Sequence, residues 1–366
     1  MDTYQSDIRL VLSQPINATY AELTLIGSSC QHVHQPVFSD QEYIFILHIT
    51  TVVSELFNVL SMYCICFKSN KNLDNFKWCL LNLQFWISFV DIWIAVLGGA
   101  RLYIPIIGGK ALGILYPTLS VPTMLGLGFG TFGVMVVSVF VLFLYRHQAV
   151  IGHHNFGKLS KPLRVIIVVI NLLIYMNMLV PPLLSSPTDQ LRGKHEVLKT
   201  IHCPSKDIMD PDVYLLLTDP TIIYPWFCFL LLFVAFECGF LAIHSSWCLF
   251  FSTLSQKLSK KTRKMQIKFL LALFAQIAIP TALNYAPIIY LAVSTLIGHF
   301  NQFANDICVF VAMTHGMVSS LCVLFFYECY REFAFYWICR NRYVRGVFTV
   351  QVSPEMSIRH SLTHIQ

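Results

Sequence analysis

Residues 121–147 read VPTMLGLGFGTFGVMVVSVFVLFLYRH, and this stretch decides the class of fold. No Asp, Glu, Lys or Arg occurs between Lys110 and Arg146. A helix needs roughly 20 mainly apolar residues to cross the hydrocarbon core of a bilayer. The run is long enough for this, and the arginine near its end marks one membrane surface. We therefore predict a membrane-spanning helix over residues 121–145.

Six further stretches combine the same length with the same scarcity of charge. Only 12% of the residues are charged and 56% are hydrophobic, whereas soluble domains carry about 25% charged residues. This composition argues against a single soluble core. We predict an all-α seven-transmembrane helix bundle as one domain over residues 43–330, with a tail at 1–42 and another at 331–366. The predicted spans cover residues 43–67, 77–98, 121–145, 163–185, 221–251, 266–297 and 303–329.

The distribution of Lys and Arg predicts how the bundle is oriented. Of the 25 such residues, 18 fall in the first, third and fifth connections and in the C-terminal tail. Cytoplasmic loops carry the excess of positive charge in membrane proteins. We therefore expect an extracellular N-terminus and a cytoplasmic C-terminus. The net charge of +6 is explained by this asymmetry and does not indicate a nucleic-acid partner.

Two cysteines stand apart from the other ten. Of the 12, only Cys30 and Cys203 fall on the predicted outer side. The outside is oxidising, which favours one disulfide between them; two unpaired thiols are the alternative. The sequon Asn17-Ala18-Thr19 lies in the same predicted outer tail, so Asn17 is a candidate glycosylation site.

Ionisable side chains within the spans are costly to insert and are therefore functional candidates. Asp91, in the middle of the second span, is predicted to form a buried ion or water site or to lock helix packing as a polar residue. Asp306 lies in the outer third of the seventh span, where it would face a ligand. Depth alone also places Tyr224, Asn284 and Tyr285 around a cavity between spans three, five, six and seven. For each of them, packing or the interfacial aromatic belt is the alternative.

The sixth span has features that suit a moving helix. Pro280 and Pro287 lie on nearly one face, and each removes a backbone hydrogen bond and favours a bend. Lys260, Lys264 and Lys268 form a stripe along its inner end, which would bind anionic lipid and is also predicted to contact a partner. A bend would let this end move while the outer end responds to a ligand.

The sequence carries little that points to catalysis. HExxH, paired DxxxD and Gly-rich phosphate loops are missing from it, and its histidines do not have zinc-ligand spacing. We expect no catalytic residue, metal or cofactor. A transporter would favour matching halves with interrupted helices, and no internal repeat is visible. A ligand-gated chemosensory channel is the other alternative; insect olfactory channels have their N-terminus inside, opposite to the orientation predicted here.

Several motifs depart from those of rhodopsin-like receptors. The third span ends YRH rather than DRY, and the seventh carries MTHGMVSS and FFYECYREF in place of NPxxY. With these, the stretches FKSNKNLDNFKWCLLNLQFW, DIWIAVL, PTDQ, HCP and SKKTRKMQIKFLLALFAQIAIP resemble nematode chemosensory serpentine receptors of class H (Srh). Class I (Sri) is the near neighbour. The resemblance extends over about residues 38–335.

This resemblance implies a G-protein-coupled chemoreceptor in the plasma membrane of a chemosensory neuron, including its cilia. Its partners would be the lipid bilayer, a heterotrimeric G protein, and a small molecule sensed as an odorant, tastant or pheromone. Cys30 and Cys203 would be the extracellular cysteine pair of the family. Tyr145, Arg146 and His147 would take the place of the DRY triplet in coupling. Arg101 stands where an apolar residue or proline is expected, which would alter the outer vestibule.

Overall fold

The computed structural model describes residues 38–69, 76–151, 157–198, 208, 210–251 and 260–334. Within these segments, seven helical stretches are long and apolar enough to cross a membrane. The predicted seven-transmembrane bundle is confirmed. The seven spans are Asp40–Phe67, Phe76–Leu97, Val121–Val150, Lys161–Leu184, Tyr224–Phe250, Gln266–Ile297 and Gln302–Phe326.

Some spans contain more than one helix, and short helices also lie between the spans. The helices are α1 (Asp40–Phe67), α2 (Phe76–Ile92), α3 (Val121–Val150), α4 (Lys161–Met176), α5 (Val180–Leu184), α6 (Gln190–Leu198), α7 (Pro220–Phe251), α8 (Lys260–Ile297), α9 (Gln302–Met313), α10 (His315–Phe326) and α11 (Glu328–Ala334). A π-helical turn, Trp93–Leu97, extends α2. The strands are β1 (Ala100–Leu102), β2 (Ile107–Ala111) and β3 (Val213–Leu217).

Local sequence sets where several helices begin. Ser39 forms a capping box with Glu42 at the start of α1. Ser120 and Ser160 are N-caps of α3 and α4: their side chains accept from the backbone amides of Thr123 and Leu163, and each serine is followed by a proline in the first turn. A capping hydroxyl satisfies a backbone amide that has no partner within the helix, and proline has no such amide to satisfy.

The third span lies at the centre of the bundle. Helix α3 packs against α2, α4 and α7, while α8 packs against α10 and α10 against α1. Large apolar side chains such as Phe45, Leu56, Phe236 and Ile243 remain exposed on the outside of the helices. A monomeric soluble protein rarely exposes so much apolar surface, and contact with lipid accounts for it.

A small antiparallel sheet caps one end of the bundle and was not predicted. Strands β1 and β2 form a hairpin after the second span, and β3 comes from the connection between the fourth and fifth spans. Arg101 pairs with Lys110 across the hairpin. We call the end that carries the sheet the outer end, in keeping with the predicted orientation.

Two of the described spans are interrupted. The sixth span, in which the two prolines were predicted to favour a bend, is not one of them. The fourth span breaks between α4 and α5, and the seventh breaks at Thr314, between α9 and α10. Pro280 and Pro287 both lie inside α8, which continues through them as one helix.

Three predicted modification sites, Asn17, Cys30 and Cys203, lie outside the described residues, so their glycosylation and pairing stay predictions. No disulfide joins the nine cysteines of the described segments.

Candidate functional site: an outer cavity and a polar inner face

A cavity of about 400 Å³ lies at the outer end of the bundle. Ligand pockets range from about 300 to 1,000 Å³, so this cavity suits a small molecule. The helical spans contribute Trp93, Ile94, Val121, Met124, Leu125, Gly128, Phe129, Phe132, Leu179 and Phe227 to its wall. The three strands and their flanks contribute Gly98, Ala100, Arg101, Leu102, Ile104, Ile107, Gly108, Gly109, Lys110, Ala111, Tyr214 and Leu216.

Trp93 is positioned by the end of the second span. It opens the π-helical turn, whose closing hydrogen bond runs from the Gly98 amide to the Trp93 carbonyl at 2.8 Å. Its indole lies against Gly128 of α3: a Cβ atom at Gly128 would approach Trp93 Nε1 to 2.5 Å. Real Cβ contacts are longer than this, so the glycine leaves the room that the indole needs against the third span.

A chain of alternating charges ties the sheet to the bundle beside the cavity. Arg101 holds Asp306 through two hydrogen bonds of 3.2 and 2.7 Å, and it donates to Asp40 at 2.7 Å. Lys110 donates to Asp40 at 3.0 Å and to Asp210 at 2.8 Å. We call Asp306–Arg101–Asp40–Lys110–Asp210 the charge chain. It joins the seventh span, the first span, the hairpin and the segment before β3.

At the Asp210 end of the charge chain, the side chains remain charged near neutral pH. Burial alone would raise the pKa of the Asp210 carboxyl, but the Lys110 ammonium and the Asp212 amide lower it on balance. Burial lowers the pKa of Lys194 to about 8, against the attraction of Asp210 and Asp212. Lys194 donates to the Asp210 carbonyl at 2.8 Å. The contacts of Lys110 and Lys194 with Asp210 are therefore retained at physiological pH.

The four residues predicted to bind ligand are not brought together at the outer cavity. Asp306 is buried with both carboxylate oxygens bound to Arg101. Tyr224 is partly buried and Tyr285 is exposed on the outside of α8. Asn284 has a buried Oδ1 with no hydrogen-bond partner among the described residues. The observed cavity is lined by spans two, three, four and five, whereas the predicted one lay between spans three, five, six and seven.

Asp91 belongs to a polar cluster between the first, second and seventh spans. Ser54 donates to one Asp91 oxygen at 3.1 Å, and His315 Nδ1 lies 3.4 Å from the other. Nearby, Gln84 donates to Asn58 at 3.0 Å and to Ser320 at 2.7 Å. Among the described residues, His, Cys, Asp and Glu side chains do not assemble in threes as metal ligands would. The contacts support the packing interpretation of Asp91.

Arg146 is buried at the inner end of the third span. Its Nη2 donates to Gln266 Oε1 of α8 at 2.9 Å, and its guanidinium lies 5.6 Å from the centre of the Phe76 ring. Helix α3 continues four residues beyond Arg146, so this residue is not the end of the helix. The side chain instead links the third and sixth spans.

The neighbours of Arg146 make separate contacts. Tyr145 packs its ring against Phe76 at 5.9 Å. His147 and His244 of the fifth span share a hydrogen bond of 2.8 Å between Nε2 and Nδ1. Spans three, five and six are thus joined at their inner ends.

The predicted lysine stripe lies on the same end of the sixth span. Lys264 and Lys268 are exposed, and Lys268 lies 3.8 Å from Glu328. The side chain of Lys260 lies outside the described part of the chain. The Lys264 ammonium is available to lipid or to a partner, whereas that of Lys268 also pairs with Glu328.

Sequence reasoning missed Trp93, Gly128 and Gln266. The glycine-rich GLGFG at 126–130 is the signal that would have found the second, because glycines within a span mark a close approach. Trp93 lies in DIWIAVL, and this stretch points to a family resemblance but not to a binding role for the tryptophan. Gln266 gives no sequence signal beyond its polarity.

Comparison with known proteins supplies the context. The model of the family "Serpentine type 7TM GPCR chemoreceptor Srh" matches residues 38–340. Among solved structures, squid rhodopsin is similar, with a TM-score of 0.52 at 10% sequence identity, over 87% of this chain and 94% of that chain. This second likeness concerns the fold alone. Among curated proteins, none matches this sequence.

Proposed function

Because this chain belongs to the Srh family of serpentine seven-transmembrane G-protein-coupled chemoreceptors, we propose that it senses an environmental small molecule bound in the outer cavity. The observation that carries this proposal is the cavity itself, enclosed by the outer ends of the spans and the sheet. Its wall includes the third span, whose inner end holds Arg146.

Ligand binding at the outer end of the bundle would be coupled to the contact between the third and sixth spans at its inner end. A ligand shifts a conformational equilibrium by binding one state more tightly than the other. In the structure, the Arg146–Gln266 hydrogen bond holds the third and sixth spans together at the inner end. We propose that this is the resting arrangement, and that a ligand favours a state in which α8 moves away there.

A heterotrimeric G protein would read the opened inner face. Arg146, Tyr145 and His147 would become accessible at the end of α3, beside Lys264 and Lys268 of α8. The orientation that this requires, with the N-terminus outside, rests on the distribution of Lys and Arg. The protein is a multi-pass membrane protein, and we propose the plasma membrane of a chemosensory neuron, including its cilia, as its location.

Ligand response in cells tests the proposal. The full chain is expressed with a calcium or cAMP reporter and screened against volatile and water-soluble chemicals. Leu125→Trp fills the cavity wall, whereas Leu127→Trp on the same helix faces outward, where Leu127 is exposed. We expect the first variant to lose the response and the second to keep it. A response that survives loss of all G-protein coupling would instead indicate a ligand-gated channel.

A further inference from the structure

We propose that the outer cavity selects neutral, mainly apolar molecules that carry one hydrogen-bond acceptor, which binds the indole N–H of Trp93. This inference rests on the proposed function, because it takes the outer cavity as the ligand site. It adds the chemical class of the ligand and the group that recognises it.

The cationic side chains of the cavity wall are already paired. Among the described wall residues, only Arg101 and Lys110 carry a positively charged side chain. Both side chains already have hydrogen-bond partners. Arg101 donates to Asp306, Asp40 and the Phe38 carbonyl, and Lys110 donates to Asp40 and Asp210. A carboxylate ligand would have to displace one of these ion pairs in a poorly solvated site. The remaining wall side chains are apolar or aromatic and carry no charge, so an anion would find no unoccupied cationic side chain and a cation no carboxylate.

The indole N–H of Trp93 is a side-chain donor that the described part of the cavity wall leaves without an acceptor. Trp93 Nε1 lies next to Gly98 and Gly128, which both line the cavity. Among the described residues, its N–H has no acceptor, whereas the indole of Trp226 donates to the Met178 carbonyl at 2.6 Å. Trp93 is partly buried, and a tryptophan N–H in such a position usually finds a partner. An acceptor on a ligand would supply it.

The backbone around Trp93 is unusual in the way that functional sites often are. π-Helical turns are rare and occur frequently at functional sites; this one forms the outer end of the second span. Here the turn Trp93–Leu97 places the tryptophan at the cavity wall, and Gly128 leaves room for its indole. Donor, turn and glycine together point to recognition rather than to packing alone.

The size of the cavity limits the ligand to the small end of the usual range. A volume of about 400 Å³ suits a ketone, ester or alcohol of roughly ten non-hydrogen atoms. The acceptor would approach Trp93, while the hydrocarbon part would pack against Phe129, Phe132 and Phe227.

Direct binding to the full-length protein in lipid nanodiscs tests this class without relying on signalling. The probes are 2-octanone, the hydrocarbon nonane, octanoate and octylammonium, and the readout is thermal stabilisation titrated to an apparent Kd. Leu125→Trp, with its cavity filled, corrects for effects of each probe on the lipid. We expect saturable binding of 2-octanone, weaker binding of nonane, and none of the two ions beyond that of the filled variant.

Trp93→Phe keeps an aromatic ring and removes the donor. We expect it to weaken binding of 2-octanone by roughly tenfold and to leave nonane within about twofold, as the loss of one hydrogen bond in a dry site implies. Trp86→Phe, on the same helix but outside the cavity wall, should change neither.

Each outcome has a distinct meaning. Equal binding of the ketone to the wild type and to Trp93→Phe, or tight binding of octanoate, would overturn the proposed class. Binding of 2-octanone that never changes a G-protein reporter would leave the class intact and contradict the proposed function. A response in cells to a charged agonist, abolished by Leu125→Trp, would support the proposed function and contradict the proposed ligand class.

Discussion

Arg146 of the third span donates a hydrogen bond of 2.9 Å to Gln266 of the sixth, across the predicted cytoplasmic end of the bundle. The YRH triplet has no acid next to its arginine, so no neighbouring carboxylate can restrain Arg146. The structure supplies a restraint from another helix, and it is a neutral amide. Substitutions of Gln266 can therefore either weaken or strengthen this contact.

Gln266→Ala should raise signalling in the absence of ligand. A hydrogen bond to a charged group contributes about 1.5–3 kcal/mol, so its loss would lower the ratio of closed to open states by about tenfold or more. Gln266→Glu should have the opposite effect, since a carboxylate binds the guanidinium more strongly. Basal reporter activity at equal surface expression measures both. If the two variants shift basal activity in the same direction, the contact is not a restraint.

Arg146→Ala should abolish ligand-evoked signalling while the protein still reaches the cell surface. We expect this because Arg146 would face the G protein once α8 has moved. Arg146→Lys keeps the charge but loses the planar donor group, and it should retain part of the response. Surface labelling separates a coupling defect from a folding defect. A normal response from Arg146→Ala would make this residue a structural link and nothing more.

Arg101→Ala should strongly destabilise the protein. It leaves Asp306, which is about 1% exposed, without its partner, and breaking a buried ion pair costs about 3–5 kcal/mol. Lys110→Ala should cost about 0–1 kcal/mol, because Asp40 and Asp210 are partly solvated. Thermal denaturation in detergent measures both. Replacing the buried pair together, as Arg101→Met with Asp306→Leu, should recover much of the loss; no recovery would mean that the charges themselves are required.

Substitution by alanine should have different effects on stability at two glycines of the spans, Gly316 and Gly239. A Cβ at Gly316 would lie 2.0 Å from Asp91 Oδ2, whereas one at Gly239 would meet nothing within 4 Å. Gly316→Ala should therefore lower Tm markedly by forcing the second and seventh spans apart. Gly239→Ala should be neutral or raise stability by up to about 1 kcal/mol, because alanine favours helix more than glycine does. Similar Tm values for the two variants would show that the Asp91 cluster is loosely packed.

The bundle was predictable because bilayer thickness sets a minimum length for an apolar helix, and seven such runs stand in the sequence. The sheet was not. Strand β2 reads IGGKA, which lacks the alternation of a strand, and its partner β3 lies about a hundred residues further along the chain. Neither strand carries a local signal for that pairing.

The site was predicted less well than the bundle, because the depth of a residue in the membrane does not tell which neighbour its side chain faces. Asp306 was expected to face a ligand and instead holds Arg101, whose unusual position was visible in the sequence. Arg146 was expected at the lipid boundary, yet it is buried because α8 and Phe76 cover it. Which faces of two helices meet depends on the whole packing arrangement.

The charge chain and the apolar cavity wall meet only at Arg101 and Lys110, whose charged ends are bound by carboxylates. Wall positions such as Ile94, Leu125 and Leu216 take no part in the chain. Related genes could therefore diverge at these positions and acquire new chemical preferences while the outer scaffold persists. A large repertoire of detectors could arise from one such framework by drift at a few apolar positions.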